Sequence, residues 1–376
     1  MIPSLDRDRP LSLYIHVPFC SRKCDYCAFY SLPESAVREG ERERWLRLLL
    51  SELDAVNREW GRSYETIFLG GGNPGLLGVE TLGRILEKAT ENGLGKECTI
   101  ETNPENLTED FRLLSPMLTR VSIGIQSLDE EVLRTLGRNS TRESGLRALE
   151  ILPSLPFDFN ADIITAVPGE SMATALSDVS SIASFGPGHI SLYCLSIEEG
   201  TPLSRRAVPI GGEKEAEFLE NCWKLLSALG YEHYEVSNFA KKGKRCLHNL
   251  VYWNLGQYIG LGAGAESSTG YREVVSMREN ESLSGYLKAP EMTCSRLTLE
   301  EAEEEYLLTS LRTSDGISKS EYRKRFSEDF DALYSSRMAY LEKSWYQDSP
   351  ERFSLTEEGF LFLDRIILEL AMGLGL

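Results

Sequence analysis

A repeated alternation of short apolar runs with helical stretches constrains the fold of this chain more than any other feature. Stretches of helical periodicity, including Arg38–Trp60 and Met172–Phe185, separate the apolar runs. This alternation is typical of β/α units around a parallel sheet. The runs that predict strands are Leu11–Val17, Thr66–Leu69, Cys98–Glu101, Arg120–Ile125, Phe159–Ile164 and His189–Ile197. Six such units predict a partial (β/α)6 barrel, because a complete barrel of this type has eight.

The pattern changes after residue 230. Residues 231–294 carry short polar, basic and glycine-rich stretches, and we expect them to connect the barrel to a separate unit. Residues 295–376 are acidic and helical and end in a strand-like run followed by a helix. The predicted architecture is therefore an α/β partial barrel in residues 1–230, a connecting region, and a small α-rich, winged-helix-like C-terminal domain.

Three cysteines, Cys20, Cys24 and Cys27, follow the first predicted strand with the spacing C-x3-C-x2-C. Thiolates suit zinc, copper(I) and iron–sulfur clusters. Three of them on one loop can hold three corners of a [4Fe–4S] cluster and leave the fourth iron open, since such clusters normally take four cysteines. A structural zinc usually needs four ligands, and only His16 lies nearby in the sequence. A disulfide is disfavoured because no secretory signal precedes the loop.

The charge balance disfavours a nucleic-acid substrate. The 376 residues include 58 Asp and Glu against 40 Lys and Arg, a net charge of −18, and an acidic surface repels phosphate backbones. Beyond the three in the loop, the other five of the 8 cysteines are scattered without a pairing pattern. The polar N-terminus does not read as a signal peptide, so we expect a cytoplasmic protein. No apolar stretch approaches the ~20 residues that span a bilayer.

Candidate ligand-binding residues lie at or just after the predicted strand ends, where parallel barrels place their chemistry. They are Gly71, Gly72, Glu101, Gln126, Arg138 and Asp162. Glycines let a backbone approach a ligand closely, a strand-end carboxylate can accept hydrogen bonds from ribose hydroxyls, and a guanidinium matches a carboxylate. Structural alternatives stay open: a tight turn for the glycines, a solvated charge for Glu101, and a helix C-terminal cap for Arg138.

A second group of candidates lies far downstream. His248, Asn249, Tyr252 and Trp253 follow a basic run, Lys241–Arg245. Histidine is a common haem ligand, aromatic rings can pack on a porphyrin, and the basic run could meet propionates or associate transiently with a membrane. The residues alone favour a simpler interpretation, a core turn with a hydrogen-bonded histidine and two packed aromatic side chains.

Taken together, these motifs resemble a known family. They are similar to the radical S-adenosylmethionine (SAM) branch that contains oxygen-independent coproporphyrinogen III oxidase. The segments that carry the resemblance are Tyr14–Cys20, Gly70–Pro74, Ser122–Ser127, Leu136–Arg138 and Tyr234–Ala240. True coproporphyrinogen dehydrogenases carry a fourth cysteine two residues after the third, where this sequence has Phe29. Phe29 and the H-N-x-x-Y-W motif at 248–253 resemble the HemW haem-chaperone group.

The resemblance implies a haem-binding protein that also holds a [4Fe–4S] cluster and SAM, and that passes haem to acceptors such as respiratory enzymes. It places the cluster on Cys20, Cys24 and Cys27. It surrounds SAM with Tyr14, Phe29, Gly71, Gly72, Glu101, Gln126, Arg138 and Asp162. It assigns haem to His248, Asn249, Tyr252 and Trp253. It also implies an electron donor, which the sequence does not identify, and it leaves catalytic residues unassigned.

Two other functions stay open from the sequence: oxidative decarboxylation of coproporphyrinogen III propionates, and radical chemistry on an unrelated small molecule. The sequence also departs from the family pattern. Asn73 stands where threonine is usual, Asn139-Ser140 where Ile-His is usual, and Glu266 where a Gly-Ala-Gly-Ala run ends in histidine. These departures concern secondary ligands and substrate contacts, not the cluster.

Overall fold

The computed structural model describes residues 5–270 and 275–372, without the side chains of residues 276–279 and 372. Strands β1 to β6 form the predicted parallel sheet, and each pairs with the strand before it in this series. They are β1 (Ser12–Val17), β2 (Thr66–Gly71), β3 (Glu97–Thr102), β4 (Arg120–Gln126), β5 (Asp158–Thr165) and β6 (His189–Cys194). Most of their side chains are buried, as expected for parallel strands that are covered on both faces.

Helices connect most of these strands and pack against the sheet. They are α1 (Glu41–Trp60), α2 (Gly78–Ala89), α3 (Glu130–Thr135), α4 (Arg142–Ile151), α5 (Met172–Ser184) and α6 (Gly212–Ala228). Between β3 and β4, where the sequence predicted a short helix, the chain forms a 3-10 helix at Glu109–Leu114. In α1, Trp45, Leu49 and Leu53 are buried, so one stripe of the helix faces the core.

The predicted barrel is confirmed, and its sheet continues at both edges in strands that the sequence analysis assigned to a connecting region. At one edge, β7 (Glu232–Glu235) and β8 (Asn238–Ala240) extend the sheet beyond β6 in antiparallel pairs. At the other edge, β9 (Tyr258–Leu261) pairs parallel with β1. The strands that follow are β10 (Glu266–Ser268), β11 (Val275–Glu279) and β12 (Met292–Arg296). Within the described residues the order is β12-β11-β10-β9-β1-β2-β3-β4-β5-β6-β8-β7. Domain limits at 230 and 294 stay a prediction.

A short helix, α7 (Leu247–Trp253), lies across the end of the barrel opposite to the three cysteines. The Glu97 carboxylate, at the start of β3, accepts hydrogen bonds from the backbone N–H groups of Leu247 and His248, both at 3.1 Å. Thr66, at the start of β2, bonds the ring of His248. Parallel strands end at a common edge, and β1 ends beside the cysteines. The length of the barrel therefore separates α7 from the cysteine loop.

Helix α8 (Leu283–Lys288) lies between β11 and β12, and after β12 the chain enters the predicted small C-terminal domain. Its strands β13 (Ile317–Ser318), β14 (Tyr346–Asp348) and β15 (Arg352–Leu355) pair antiparallel in the order β13-β15-β14. They pack with the helices around Tyr322, Phe330 and Phe353. This is the predicted winged-helix-like arrangement. Its elements are α9 (Leu299–Ser310), β13 (Ile317–Ser318), α10 (Lys319–Phe326), α11 (Phe330–Met338), β14 (Tyr346–Asp348), β15 (Arg352–Leu355), α12 (Glu357–Leu361) and α13 (Leu363–Met372). None of the helices in the described ranges is long and apolar enough to cross a membrane.

Candidate cofactor site

The three loop cysteines line one cavity of about 520 Å³ at the carboxyl ends of the strands. Cys20, Cys24 and Cys27 are free thiols of intermediate exposure, and no cysteine of the described chain forms a disulfide. The described residues contain no group of three or more His, Cys, Asp or Glu side chains that could hold a metal ion together. In a cluster each cysteine binds a different iron, so cluster thiolates stand further apart than the ligands of one ion.

The cysteine loop is held in place by the segments that follow α3 and β6. The backbone N–H of Asp25 donates to Leu136 O at 3.0 Å, and Asp25 O accepts from Leu203 N at 2.8 Å. Arg206 binds the Asp25 carboxylate at 2.5 Å. Gly137 has φ +66°, and a Cβ there would lie 2.4 Å from the Asp25 carboxyl carbon. Glycine is therefore required where this segment meets the loop.

The glycine run after β2 packs directly against the start of the same loop. A Cβ on Gly72 would lie 2.5 Å from the carbonyl oxygen of Phe19, and Gly72 N donates to Val17 O at 2.8 Å. Gly71 has φ +102°, and a Cβ on it would lie 2.4 Å from the His16 ring. We predicted that these glycines let the backbone come close to a ligand. The structure shows that they also let it pack against the segment that leads into the cysteine loop.

Two buried carboxyl groups, Glu101 and Asp162, face the cavity. Burial, and then the nearby charge of Asp162, raise the pKa of Glu101 to about 8, although a hydrogen bond from the Gly71 N–H at 3.2 Å acts the other way. Burial also raises the pKa of Asp162, against several hydrogen bonds such as that from Asn160 Nδ2 at 2.7 Å. Their desolvation favours a ligand that supplies hydroxyl donors or positive charge.

Arg138 and Gln126 present unsatisfied polar atoms beside this cavity. Arg138 Nη2 donates to Gly124 O at 2.7 Å and to Asn103 Oδ1 at 3.0 Å, while Nη1 lies 3.5 Å from Cys24 Sγ. Arg138 Nε and Gln126 Oε1 are buried without a hydrogen-bond partner. A buried donor and acceptor without partners are costly, so their position favours a polar ligand between them.

The structure brings the predicted SAM residues together at this end of the barrel. Seven of them line the 520 Å³ cavity: Phe29, Gly71, Gly72, Glu101, Gln126, Arg138 and Asp162. The eighth, Tyr14, lines an inner cavity of about 310 Å³ that shares Phe29, Gly71, Glu101 and Asp162 with the first. The residues thus fit the chemistry of SAM: glycine backbone, buried carboxylates and a guanidinium. Their individual roles stay predictions.

Sequence reasoning missed several residues of the same cavities. Tyr26, between two of the cysteines, and Asn103, Tyr193 and Cys194, at strand ends, line the larger cavity. Their position at the end of a strand was the signal that could have identified the last three. His189, Asn160 and Arg120 line the inner cavity from within strands, where alternation alone does not show which side chain points inward.

The predicted haem motif is divided between the inner cavity and the protein core. Asn249 and Tyr252 line the inner cavity. His248 is fully buried, with hydrogen bonds to Thr66 Oγ1 at 2.7 Å and Tyr252 OH at 2.8 Å, and burial lowers its pKa to about 3. Trp253 lies under the guanidinium of Arg312, 4.7 Å from the ring centre. The role of these residues in haem binding stays a prediction.

A barrel with three cysteines on the loop after β1, beside a cavity that carboxyl and guanidinium groups line, defines a radical SAM protein. The model of the Radical SAM superfamily matches residues 14–180, and that of the HemN C-terminal domain matches residues 297–362. The solved structure of HemN, the coproporphyrinogen III oxidase from Escherichia coli, covers 99% of this chain and 92% of its own with a TM-score of 0.81 at 18% identity, which shows the fold. The superfamily implies binding of a [4Fe–4S] cluster and SAM.

Comparison with curated relatives shows which family within the radical SAM class the chain belongs to. Heme chaperone HemW from Escherichia coli is 30% identical over 371 residues, which covers 95% of this chain and 97% of that protein. Heme chaperone HemW from Buchnera aphidicola of Schizaphis graminum is 28% identical over 369 residues, with 95% and 97% covered. That from Mycobacterium tuberculosis is 35% identical over 276 residues, with 70% of each chain covered. The chain belongs to the HemW heme chaperone family.

Proposed function

We propose that this protein is a haem chaperone that binds haem and delivers it to acceptor proteins such as respiratory enzymes. The observation that carries the proposal is the match over nearly the whole chain to relatives named heme chaperones. Phe29 supports it, because this side chain stands where coproporphyrinogen dehydrogenases have a fourth cysteine. It is 71% exposed at the rim of the cysteine cavity, an apolar surface next to the cofactor site.

We further propose which residues hold the cofactors. Cys20, Cys24 and Cys27 would hold the [4Fe–4S] cluster, which together with SAM supplies one-electron chemistry when bound. The guanidinium of Arg138 would bind the SAM carboxylate, and Glu101 would accept hydrogen bonds from the ribose hydroxyls. The unpaired Arg138 Nε and the desolvated Glu101 carboxyl support these assignments.

The partners and the location of the protein are part of the same proposal. We place the protein in the cytoplasm, with haem, haem acceptors and a separate electron donor as partners, and without a nucleic-acid partner. The net charge of −18 supports the exclusion of nucleic acid. The basic run Lys241–Arg245 would serve any transient contact with a membrane, although Lys244 and Arg245 already form ion pairs within the chain.

Haem titration into the anaerobically reconstituted protein tests the proposal. We expect saturable haem binding, transfer of the haem to an apo respiratory haem protein, and no conversion of coproporphyrinogen III to protoporphyrinogen IX when SAM and a reductant are supplied. Formation of protoporphyrinogen IX would establish the alternative function, an oxygen-independent coproporphyrinogen III oxidase. A protein that binds no haem would contradict the chaperone proposal.

A cysteine series provides the matched control for the cofactor assignment. We expect Cys20→Ala, Cys24→Ala and Cys27→Ala each to lose the iron–sulfur absorbance after reconstitution. Cys294→Ala, at an exposed cysteine of β12 outside the loop, should keep it. Absorbance that survives in the loop variants would show that the cluster is held elsewhere.

A further inference from the structure

The histidines of this chain decide how it can bind haem iron, and the inference drawn from them depends on the proposed haem binding. The sequence contains 4 histidines, and all of them lie in the described part of the chain. Histidine is the commonest protein ligand of haem iron, and it binds through the lone pair of an unprotonated ring nitrogen. A histidine ligand therefore needs a ring nitrogen that is accessible and not already engaged.

His248, the residue that the family motif assigns to haem, has neither property. Its side chain is fully buried, and its ring stacks on Phe68 with the ring centres 5.0 Å apart. Thr66 Oγ1 donates to Ser12 Oγ at 2.8 Å, so it accepts the proton of His248 Nδ1 at 2.7 Å. The remaining lone pair, on Nε2, then accepts from the Tyr252 hydroxyl at 2.8 Å. No lone pair of this ring is left for iron.

These bonds have a structural purpose at the closed end of the barrel. Thr66 begins β2, and His248 and Tyr252 lie one helical turn apart on α7, so the ring of His248 ties the helix to the strand. The Glu97 carboxylate, at the start of β3, accepts from the first N–H groups of the same helix. The contacts place Asn249 and Tyr252 against the inner cavity. The motif thus builds the floor of that cavity.

Two of the other three histidines, His16 and His189, are engaged in the same way. His16 bonds Tyr14 OH at 3.0 Å and Tyr30 O at 2.8 Å. His189 bonds Asn160 Oδ1 at 2.6 Å and Tyr234 OH at 2.8 Å.

The ring of His233 stacks on Phe239 with 4.1 Å between ring centres. Its Nε2 lies 3.3 Å from Val236 O, while its Nδ1 is buried without a hydrogen bond, 3.4 Å from the exposed carboxylate of Glu357. His16, His189 and His248 would each have to break a hydrogen bond in the protein interior before they could bind iron, and an unsatisfied buried partner costs about 1–3 kcal/mol. His233, whose side chain is only 3% exposed, would have to leave its stack on Phe239.

We propose that His248 ties α7 to β2 to close the barrel, and that haem iron bound to this protein takes no histidine ligand. The H-N-x-x-Y-W motif then contributes to haem handling only through the shape of the inner cavity. Any axial ligand from this chain comes from another donor class, a thiolate, thioether or phenolate.

Isotope labelling of histidine tests the ligand directly, without altering the protein. The chain is produced with 15N in its histidine rings, loaded with ferric haem, and studied by pulsed electron paramagnetic resonance. We expect no 15N coupling to the iron. Any 15N coupling to the iron would overturn the inference and leave the proposed haem binding intact, and its loss in His248→Gln would identify His248 as the ligand. A protein that binds no haem would instead reject the proposed function.

Stability measurements without haem test the structural half of the inference. We expect His248→Gln and Thr66→Val each to lower the melting temperature by several degrees. Thr99→Val is the matched control, since Thr99 is buried in the neighbouring strand and its hydroxyl has no partner, so its melting temperature should not fall. Thr66→Val should also leave the haem absorption spectrum unchanged. Equal stability of all three variants and the parent chain, or a changed haem spectrum in Thr66→Val, would overturn the inference.

Discussion

Single residues of the cofactor site carry unfavourable electrostatics that destabilise the protein when no ligand is bound. Glu101 is the clearest case, because burial and the Asp162 charge raise its pKa to about 8 while the carboxyl of an unfolded chain ionises near pH 4. A carboxyl group with a raised folded-state pKa stabilises the fold below its unfolded pKa, and that stability is lost as the pH rises through the folded pKa. The destabilisation by Glu101 therefore grows between about pH 4 and pH 8 and stays at its full value above pH 8.

Glu101→Gln removes this titration and keeps the shape of the side chain. We expect the variant to be more stable than the parent chain at pH 8.5, by at most about 5 kcal/mol. The gain should disappear at pH 4, where both side chains are neutral. Denaturation by urea at several pH values, with protein free of cofactors, measures the difference. A gain that does not change with pH would contradict the raised pKa.

The residues at which the sequence departs from the family pattern do not line the two cavities, and two of them, Asn73 and Ser140, join loops. Asn73 Nδ2 donates to Asn106 Oδ1 at 2.7 Å, and Asn73 Oδ1 accepts from Asn103 N at 3.3 Å, which links the loops after β2 and β3. Ser140 Oγ donates to Glu105 at 2.8 Å. Glu266 is exposed at the start of β10. The departures therefore affect contacts between loops. The side chains that line the cavity, and the ligand contacts they offer, stay the same.

Among the elements, the end of β2 and the cysteine loop are packed so closely that no side chain fits between them at Gly72. Gly72→Ala would place a methyl group 2.5 Å from Phe19 O and 2.7 Å from Val17 O, which are backbone atoms of the segment that leads into Cys20. We expect the loop to shift, stability to fall by about 1–3 kcal/mol, and cluster loading to drop severalfold. Iron and sulfide content after reconstitution, together with urea denaturation, measures both effects.

Gly83→Ala in α2 is the control for this substitution. The nearest atom to its added Cβ lies 3.9 Å away, and the position is helical with ordinary φ. We expect a gain of roughly 0.5–1 kcal/mol, because alanine loses less backbone freedom in a helix. Full cluster loading in Gly72→Ala would show that the contact does not position the loop.

The elements also show what a sequence can and cannot predict here. The helix predicted at Arg38–Trp60 is α1 at Glu41–Trp60, since its periodicity is local. The pairing of β9 with β1 could not be predicted, because a strand of four residues carries no local signal for its partner. The partner of His248 is Thr66, 182 residues away in the sequence. The H-N-x-x-Y-W motif identified His248 from the sequence, but it could not show that Thr66 is its hydrogen-bond partner.

At the scale of the molecule, the C-terminal domain is attached to the barrel through the same floor that α7 forms. Val236 N donates to Arg312 O, and Ser314 N donates to Tyr234 O, both at 2.9 Å, so the segment after α9 runs beside the sheet edge. Arg325 of α10 is buried and donates to the carbonyls of Asn254 and Leu255, at the end of α7. The inner cavity, α7 and the C-terminal domain are therefore mechanically connected.

Arg325→Ala should loosen this connection. The substitution removes the donor to the carbonyls of Asn254 and of buried Leu255, and it removes the guanidinium that lies 4.8 Å from the ring centre of Tyr306, so we expect a loss of about 2–4 kcal/mol. Arg323→Ala, on the same helix at an exposed ion pair with Asp329, should cost about 1 kcal/mol or less. Hydrogen exchange provides the specific readout, because α7 should exchange faster in Arg325→Ala only. If α7 exchanged equally in both variants, the floor of the barrel would be stable without the C-terminal domain, and His248 with Glu97 would suffice to hold it.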